Sequence, residues 1–320
     1  MMLLGALTFA FAANARAEET EPWLSWQTPL QSGHPLAGQI WSAGEERFIT
    51  PPALANALAE TKLVLIGESH DNADHHRLQG WVIREIAKGR TPAIVMEMIN
   101  RDQAAALDAY LARPDADAAG LGPALDWAKS GWPDWSIYQP IAEAALPAKL
   151  RIVAGNPSPA TIRSISRGGL GSLEEDERKS LALDRPLSPA LAEALSDDIR
   201  ESHCGLLPEA SIGPMTQVQR YRDAALAEAL LAAGENDSAI LIAGNGHVRS
   251  DRGVPWYLFR LAPDASMASV VLLEITDDAQ TIDDLIMAGP GGTPVADYFW
   301  FTPRAEREDP CEGLRQHFQK

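Results

Sequence analysis

Cysteine is nearly absent from this 320-residue chain, which has two, Cys204 and Cys311. Two cysteines cannot build a disulfide-rich scaffold or a four-thiolate metal centre. They can pair in an oxidising compartment or remain two separate structural thiols, and the sequence leaves both open. Basic residues are also scarce: 27 Lys and Arg face 44 Asp and Glu, a formal charge of −17. That balance argues against non-specific binding to nucleic acid or to an anionic membrane, since both need a basic surface. After the first twenty residues no apolar run is long enough to span a bilayer. Ser69 lacks the Gly-x-Ser-x-Gly surroundings of a hydrolase elbow, which argues against a serine nucleophile.

What is present starts at the N-terminus. Residues 1–13 are almost wholly apolar and small, and Ala15-Arg16-Ala17 before Glu18 has the A-x-A form of a cleavage site. Residues 1–17 therefore read as a secretory signal peptide, which places the mature chain in the periplasm. No cysteine sits at the cleavage point, so membrane association through a lipobox is not supported.

Five apolar runs, at 63–67, 93–98, 150–154, 239–243 and 270–275, are continuous rather than alternating. Strands covered on both faces read this way, and helical segments between them imply an α/β fold with a parallel sheet flanked by helices. Thr50 before Pro51-Pro52 is a helix start, and 75–88 carries Leu78, Val82 and Ile86 on one stripe. Residues 18–156 and 235–320 form the expected core. Residues 157–234, with helical spacing at 189–202 and 215–233, form an expected helical insertion, a lid or small subdomain over the strand mouths. Residues 121–137 are a looser insertion rich in Trp127, Trp132 and Trp135, and 298–301 reads as an edge strand.

Two of the apolar runs end alike, in Gly67-Glu68-Ser69-His70 and Gly244-Asn245-Gly246-His247. Composition alone predicts roughly half a chance Gly-x-x-His, so two after strand-like runs are informative. A glycine permits a sharp turn at the strand end and delivers the histidine to the mouth, where ligands collect in parallel sheets. His75 lies in line with Leu78, Val82 and Ile86 and faces the sheet; His76 points about 100° away. Glu97, inside the second apolar run, needs a partner when buried. It stands beside the His70 turn if the first two strands are neighbours, and a salt bridge to Arg101 is the plainer alternative. His70, Glu97 and His247 match the donor set of a Zn, Mn or Fe site with open positions. If the chain is an enzyme, they hold or assist a metal-bound water, with Glu68 as base. Arg249 and Arg252 follow the second motif and suit carboxylate ligands. His203 adjoins Cys204, and Tyr221 sits mid-helix beside Arg222 and Asp223.

With Gln79, Met96-Glu97-Met98, Ser130-Gly131-Trp132-Pro133, Asn156-Pro157-Ser158-Pro159, Arg167-Gly168-Gly169, His203-Cys204-Gly205 and Gln219-Arg220-Tyr221-Arg222-Asp223, these motifs resemble the ChaN family of the Tiki/TraB and erythromycin-esterase superfamily. The resemblance runs from about Leu54 to Ile275. It implies a parallel α/β core, a helical subdomain, and haem in a pocket that can form between two subunits. Arg167, Arg249 and Arg252 would then meet the haem propionates. Tyr221, Tyr138 and Tyr257, with His75, His76 and His203 behind them, are candidate axial ligands. The superfamily's histidines and glutamate fall on His70, His247 and Glu97, and some of its members are metal-dependent proteases or other hydrolases. The expectation is thus a periplasmic haem-binding protein serving iron uptake or haem handling. A metal-dependent hydrolase and a non-catalytic dimeric interaction protein are the alternatives.

Overall fold

The computed structural model describes residues 21–318, so the expected signal peptide lies outside the described residues. In chain order the strands are β1 (Ile40–Ser42), β2 (Arg47–Ile49), β3 (Leu63–Glu68), β4 (Ala93–Asn100), β5 (Ile152–Asn156), β6 (Ala239–Gly244), β7 (Met267–Glu274) and β8 (Tyr298–Thr302). The helices before the third strand interval closes are α1 (Pro51–Ala59), α2 (Ala73–Ala87), α3 (Ala104–Leu111), α4 (Ala118–Ala124) and α5 (Trp135–Ala145). Between β5 and β6 come α6 (Pro159–Gly168), α7 (Glu175–Ser180), α8 (Pro189–Ser202) and α9 (Glu209–Ala233). Then follow α10 (Val254–Leu261) and α11 (Pro310–Phe318).

All eight strands form one sheet, in the order β2-β1-β8-β7-β3-β6-β4-β5. The five expected strands are present and pair in parallel. The sheet as a whole is mixed, because β1 pairs antiparallel with both β2 and β8. That hairpin covers the outer side of β8, so residues 298–301 are an interior strand rather than an edge. Continuous apolar runs arise because both faces are roofed. Along β3, Val64 and Ile66 join the core under α1, α2 and α5, whereas Leu63 and Leu65 join the core under α9 and α10.

Local signals start the helices where the sequence places them. Thr50 accepts a hydrogen bond from the Ala53 N–H ahead of α1, and Asn72 caps α2 through the N–H groups of Asp74 and His75. The C-terminal half of α9 buries Leu226, Leu230 and Ala233 against the sheet core, so this helix joins the insertion to the central layer. Cys204, just after α8, forms a disulfide with Cys311 in α11, with the Cα atoms 5.6 Å apart. Among the described residues no helix is long and apolar enough to cross a membrane.

Candidate functional site

The two Gly-x-x-His motifs meet because β3 and β6 are parallel neighbours whose last residues, Glu68 and Gly244, are in register. Neither glycine has a positive φ; what matters is the missing Cβ rather than a sharp turn. A Cβ on Gly67 would lie 2.2 Å from Asn245 Oδ1 and 2.7 Å from Val248 Cγ2. A Cβ on Gly244 would lie 2.9 Å from His70 Nε2. Each glycine therefore makes room for the other motif's turn, and the two turns interlock.

Below His70, Glu68 is buried at the end of β3. His70 Nδ1 lies 2.8 Å from Glu68 Oε1, and the Gln79 amide donates to Oε2 at 2.7 Å. His76 Nδ1 is 3.3 Å from the same Oε2. Burial alone would raise the Glu68 pKa, but His76 and His70 outweigh it and hold the carboxyl far below the usual range. Burial also works against a charge on His70, and the hydrogen bond to Glu68 overcomes it, raising the imidazole pKa. The His70 side chain is one-third exposed and its ring centroid lies 4.6 Å from that of Trp132. The His70 carbonyl accepts the Tyr138 hydroxyl at 3.1 Å. The carboxylate on Nδ1 fixes the orientation of this imidazole and leaves Nε2 facing Gly244 at the end of β6.

Glu97 does not stand beside β3, because β6 lies between β3 and β4. It reaches across β6 instead. Its Oε2 accepts the Gly244 N–H at 2.8 Å, and its Oε1 accepts Arg222 Nη2 at 2.5 Å. Arg222 Nε also donates to Asn156 Oδ1 at 3.2 Å. His247 bridges two carboxylates, with Nε2 3.2 Å from Glu97 Oε1 and Nδ1 2.6 Å from Asp223 Oδ1. Burial opposes the charge on His247, but Glu97 and Asp223 overcome it and raise its pKa to about 9. Burial raises the Asp223 pKa despite His247, while His247 and Arg222 prevail over burial at Glu97 and lower its pKa.

These bonds correct the expected metal site. Both His247 nitrogens and both Glu97 oxygens are engaged by protein groups, and His70 Nδ1 is held by Glu68. Among the described residues no three His, Cys, Asp or Glu side chains are grouped to hold a metal ion. The lowered pKa of Glu68, held by two histidines, works against its expected role as a base. His70 and His247 share one site, but in different roles: His247 is locked in an ion network, whereas the His70 ring is one-third exposed.

The remaining expected ligands scatter. His75 is fully buried; its Nδ1 accepts the Ser69 N–H at 2.8 Å and its Nε2 meets Thr302 Oγ1 at 2.8 Å. Burial lowers its pKa to about 4, which makes it a neutral core histidine. His76 uses both nitrogens, on Gln79 Oε1 and the His70 carbonyl. Tyr138 and Tyr257 are fully buried, the latter accepting from Arg220 Nε, and Tyr221 packs in the apolar core. Arg249 is paired with Asp251, and Arg252 with Asp198 and Asp251, both arginines being buried. Arg167 is exposed at the end of α6, its Nε donating to the Arg163 carbonyl. His203 is half-buried just after α8, and its Nδ1 lies 2.8 Å from the Ile199 carbonyl. A carbonyl only accepts, so Nδ1 is the donor in this bond.

Arg222, Asp223, Gln79, Trp132 and Asn156 complete the site and were not singled out as ligands or catalysts from the sequence. One signal was readable: Arg222 and Asp223 precede the run Ala224–Leu226 on a helix that buries Ala224, Ala225, Leu226 and Ala227. A charged pair so close to a buried stripe requires partners.

The fold and site define an α/β protein with two carboxylate–histidine pairs at adjoining strand mouths. A family model described as haem-binding uptake, Tiki superfamily, ChaN matches residues 54–258. The chain belongs to this family. Among solved structures it is similar to ChaN of Campylobacter jejuni with cofacially bound haem, at 20% identity and a TM-score of 0.63 over 82% of this chain and 95% of that one. It is also similar to the type III effector HopBA1, at 12% identity and TM-score 0.44 over 79% and 93% of the two chains. Erythromycin esterase EreC in an open conformation matches at 14% identity and TM-score 0.38 over 90% and 86%. No curated protein matches the chain.

Proposed function

We propose that this chain binds haem as a protein of the ChaN type and serves haem or iron uptake or handling in the periplasm. The observation that carries the reading is the match of the haem-binding family model to residues 54–258. ChaN of Campylobacter jejuni, a protein of the same fold, binds haem. Export is supported by the leader-like residues 1–17 and by the Cys204–Cys311 disulfide, a bond that persists in oxidising compartments. A second copy of the chain is proposed to complete the pocket.

The residues present fit a haem ligand. His203 is half-buried with its Nδ1 bonded to the Ile199 carbonyl, which leaves Nε2 for a ligand, and His70 stands at the strand mouths with its ring one-third exposed. When bound, haem supplies an iron open to such a nitrogen and a porphyrin with two carboxylates. His75, His76, Tyr138 and Tyr257 have their polar atoms engaged and stay in the core. Titration of the purified chain with haemin tests the reading. A saturable Soret band that shifts in either His203→Ala or His70→Ala is expected, and no band at micromolar haemin would overturn it.

One observation favours a second reading, hydrolysis at the strand mouths. Glu68 holds His70 through Nδ1 on a ring that is one-third exposed, and in its neutral form such a histidine can act as a general base that draws a proton from water. In this reading Arg222 and His247 hold Glu97 ionised beneath the site. Nitrophenyl ester hydrolysis that vanishes in His70→Ala while folding is retained would support it. Equal background rates in both proteins would refute it.

A further inference from the structure

Positive charge collects in a groove between α7 and α10, on a protein of net charge −17. The groove is a cavity of about 540 Å3 lined by Lys179, Ala182, Asp184, Arg185, Arg260 and Leu261. Arg220 of α9 braces its wall, with Nη2 donating to the Arg185 carbonyl at 2.6 Å and Nε to the Tyr257 hydroxyl at 3.2 Å. Arg260 Nη1 donates to the Trp256 carbonyl at 2.6 Å, and its guanidinium stacks 3.3 Å over the Trp256 ring.

Counter-charges are few. Among the described residues Lys179 pairs with Glu175, and Arg185 has Asp184 at 3.6 Å. Arg220 and Arg260 are bonded to carbonyl, hydroxyl and aromatic groups, with no carboxylate in ion-pair range among the described residues. Burial lowers the Arg260 pKa, against an opposing pull from Tyr257 and with a smaller contribution from Arg185. Other arginines of the chain are neutralised by carboxylates, as Arg222 is by Glu97 and Arg252 by Asp198, although Arg151, Arg167 and Arg178 also bond to carbonyls. Like charges held together in one concavity repel, and an anion placed among them removes that repulsion.

We propose that this groove binds a small polyanion, a ligand with two or more neighbouring phosphate or carboxylate oxygens. Arginine forks grip such oxygens in pairs. The exposed Arg185 supplies a mobile cation, while Arg260, stacked on Trp256, supplies a fixed one. The groove is lined by none of the strand-mouth residues, and its occupancy does not depend on the haem reading. Haem carboxylates are one source of this chemistry and phosphorylated metabolites another.

Calorimetric titration of the full chain at low ionic strength, with inorganic pyrophosphate and with citrate as probes, tests the proposal. One probe molecule should bind per chain, more weakly as salt is added. Affinity should fall at least about tenfold in Arg185→Gln/Arg260→Gln, the loss expected from removing two charge-assisted contacts. Arg185→Glu leaves the Arg260–Trp256 stack in place and should weaken binding as well, so a misfolded double variant would not rescue the idea. Tighter pyrophosphate binding would identify phosphate as the natural group, and tighter citrate binding a carboxylate ligand. No binding of either probe, or unchanged affinity in Arg185→Glu, would overturn it.

Discussion

Replacing Gly67 by alanine should destabilise this protein although the backbone there is ordinary. The new Cβ would sit 2.2 Å from Asn245 Oδ1, 2.7 Å from Val248 Cγ2 and 3.1 Å from the Asn245 Cα. Val248 is fully buried, and the Asn245 amide is tied to the Leu272 carbonyl at 2.8 Å. Neither neighbour can swing away without loss. Overpacking of this kind costs about 1–3 kcal/mol, and breaking the Asn245 bond adds on the order of 1 kcal/mol. The stiffer unfolded chain returns roughly 0.4–1 kcal/mol, leaving a net loss of about 2 kcal/mol. Gly244→Ala differs, because its Cβ meets the partly exposed His70 ring, 2.9 Å from Nε2 and 3.2 Å from Cε1. That ring can swing outward and relieve the clash, so the loss of stability should come from the broken charge-assisted bond to Glu68, about 1.5–3 kcal/mol. With that bond lost, the raised pKa of His70 should return toward the ordinary imidazole value. Urea unfolding followed by tryptophan fluorescence measures the first effect, and a histidine NMR titration the second. A neutral or stabilising Gly67→Ala, or an unmoved His70 in Gly244→Ala, would refute the interlocked turns.

Stability should peak near pH 6.5, with histidine-driven losses on both sides. Burial lowers the His75 pKa from 6.5 to about 4, so its contribution is present above about pH 6.5 and is lost as pH falls toward 4, on the order of 3 kcal/mol. Glu68 and Glu97, with lowered pKa values, lose their contributions in the acid range as well. The raised pKa of His247, about 9, acts in the opposite sense: its contribution is complete below about pH 6.5 and is lost as pH rises through 9. Urea midpoints measured from pH 4 to 10 should trace this maximum, and a flat profile would contradict the assignments. Cys311→Ser should lower stability by about 2–5 kcal/mol, because the disulfide spans 107 residues of sequence. The same urea assay, with and without a dithiol reductant, checks this; an unfolding midpoint insensitive to both changes would show that α11 adds nothing.

Much of the fold was legible because buried parallel strands leave an unambiguous trace, five unbroken apolar runs separated by helical stripes. The hairpin β1–β2 was not, since three-residue strands with mixed exposure carry no periodicity. Strand order was also out of reach: Glu97 was expected beside His70 on the assumption that successive strands are neighbours, and β6 lies between them. Pairing of the two Gly-x-x-His turns was readable, yet the division of labour was not. Whether a histidine nitrogen is free depends on partners such as Asp223 and Gln79, which arrive from other helices. The arginines Arg249 and Arg252 illustrate the same limit: their sequence position suggests ligand binding, while Asp251 and Asp198 neutralise them.

The absorbance spectrum of the purified chain after equilibration with micromolar haemin, read beside its elemental composition, tests the central claim most directly. Haem binding of the ChaN type predicts a Soret band that saturates with bound iron in proportion to protein. The absence of any such band, with a stoichiometric zinc or manganese content instead, would contradict it.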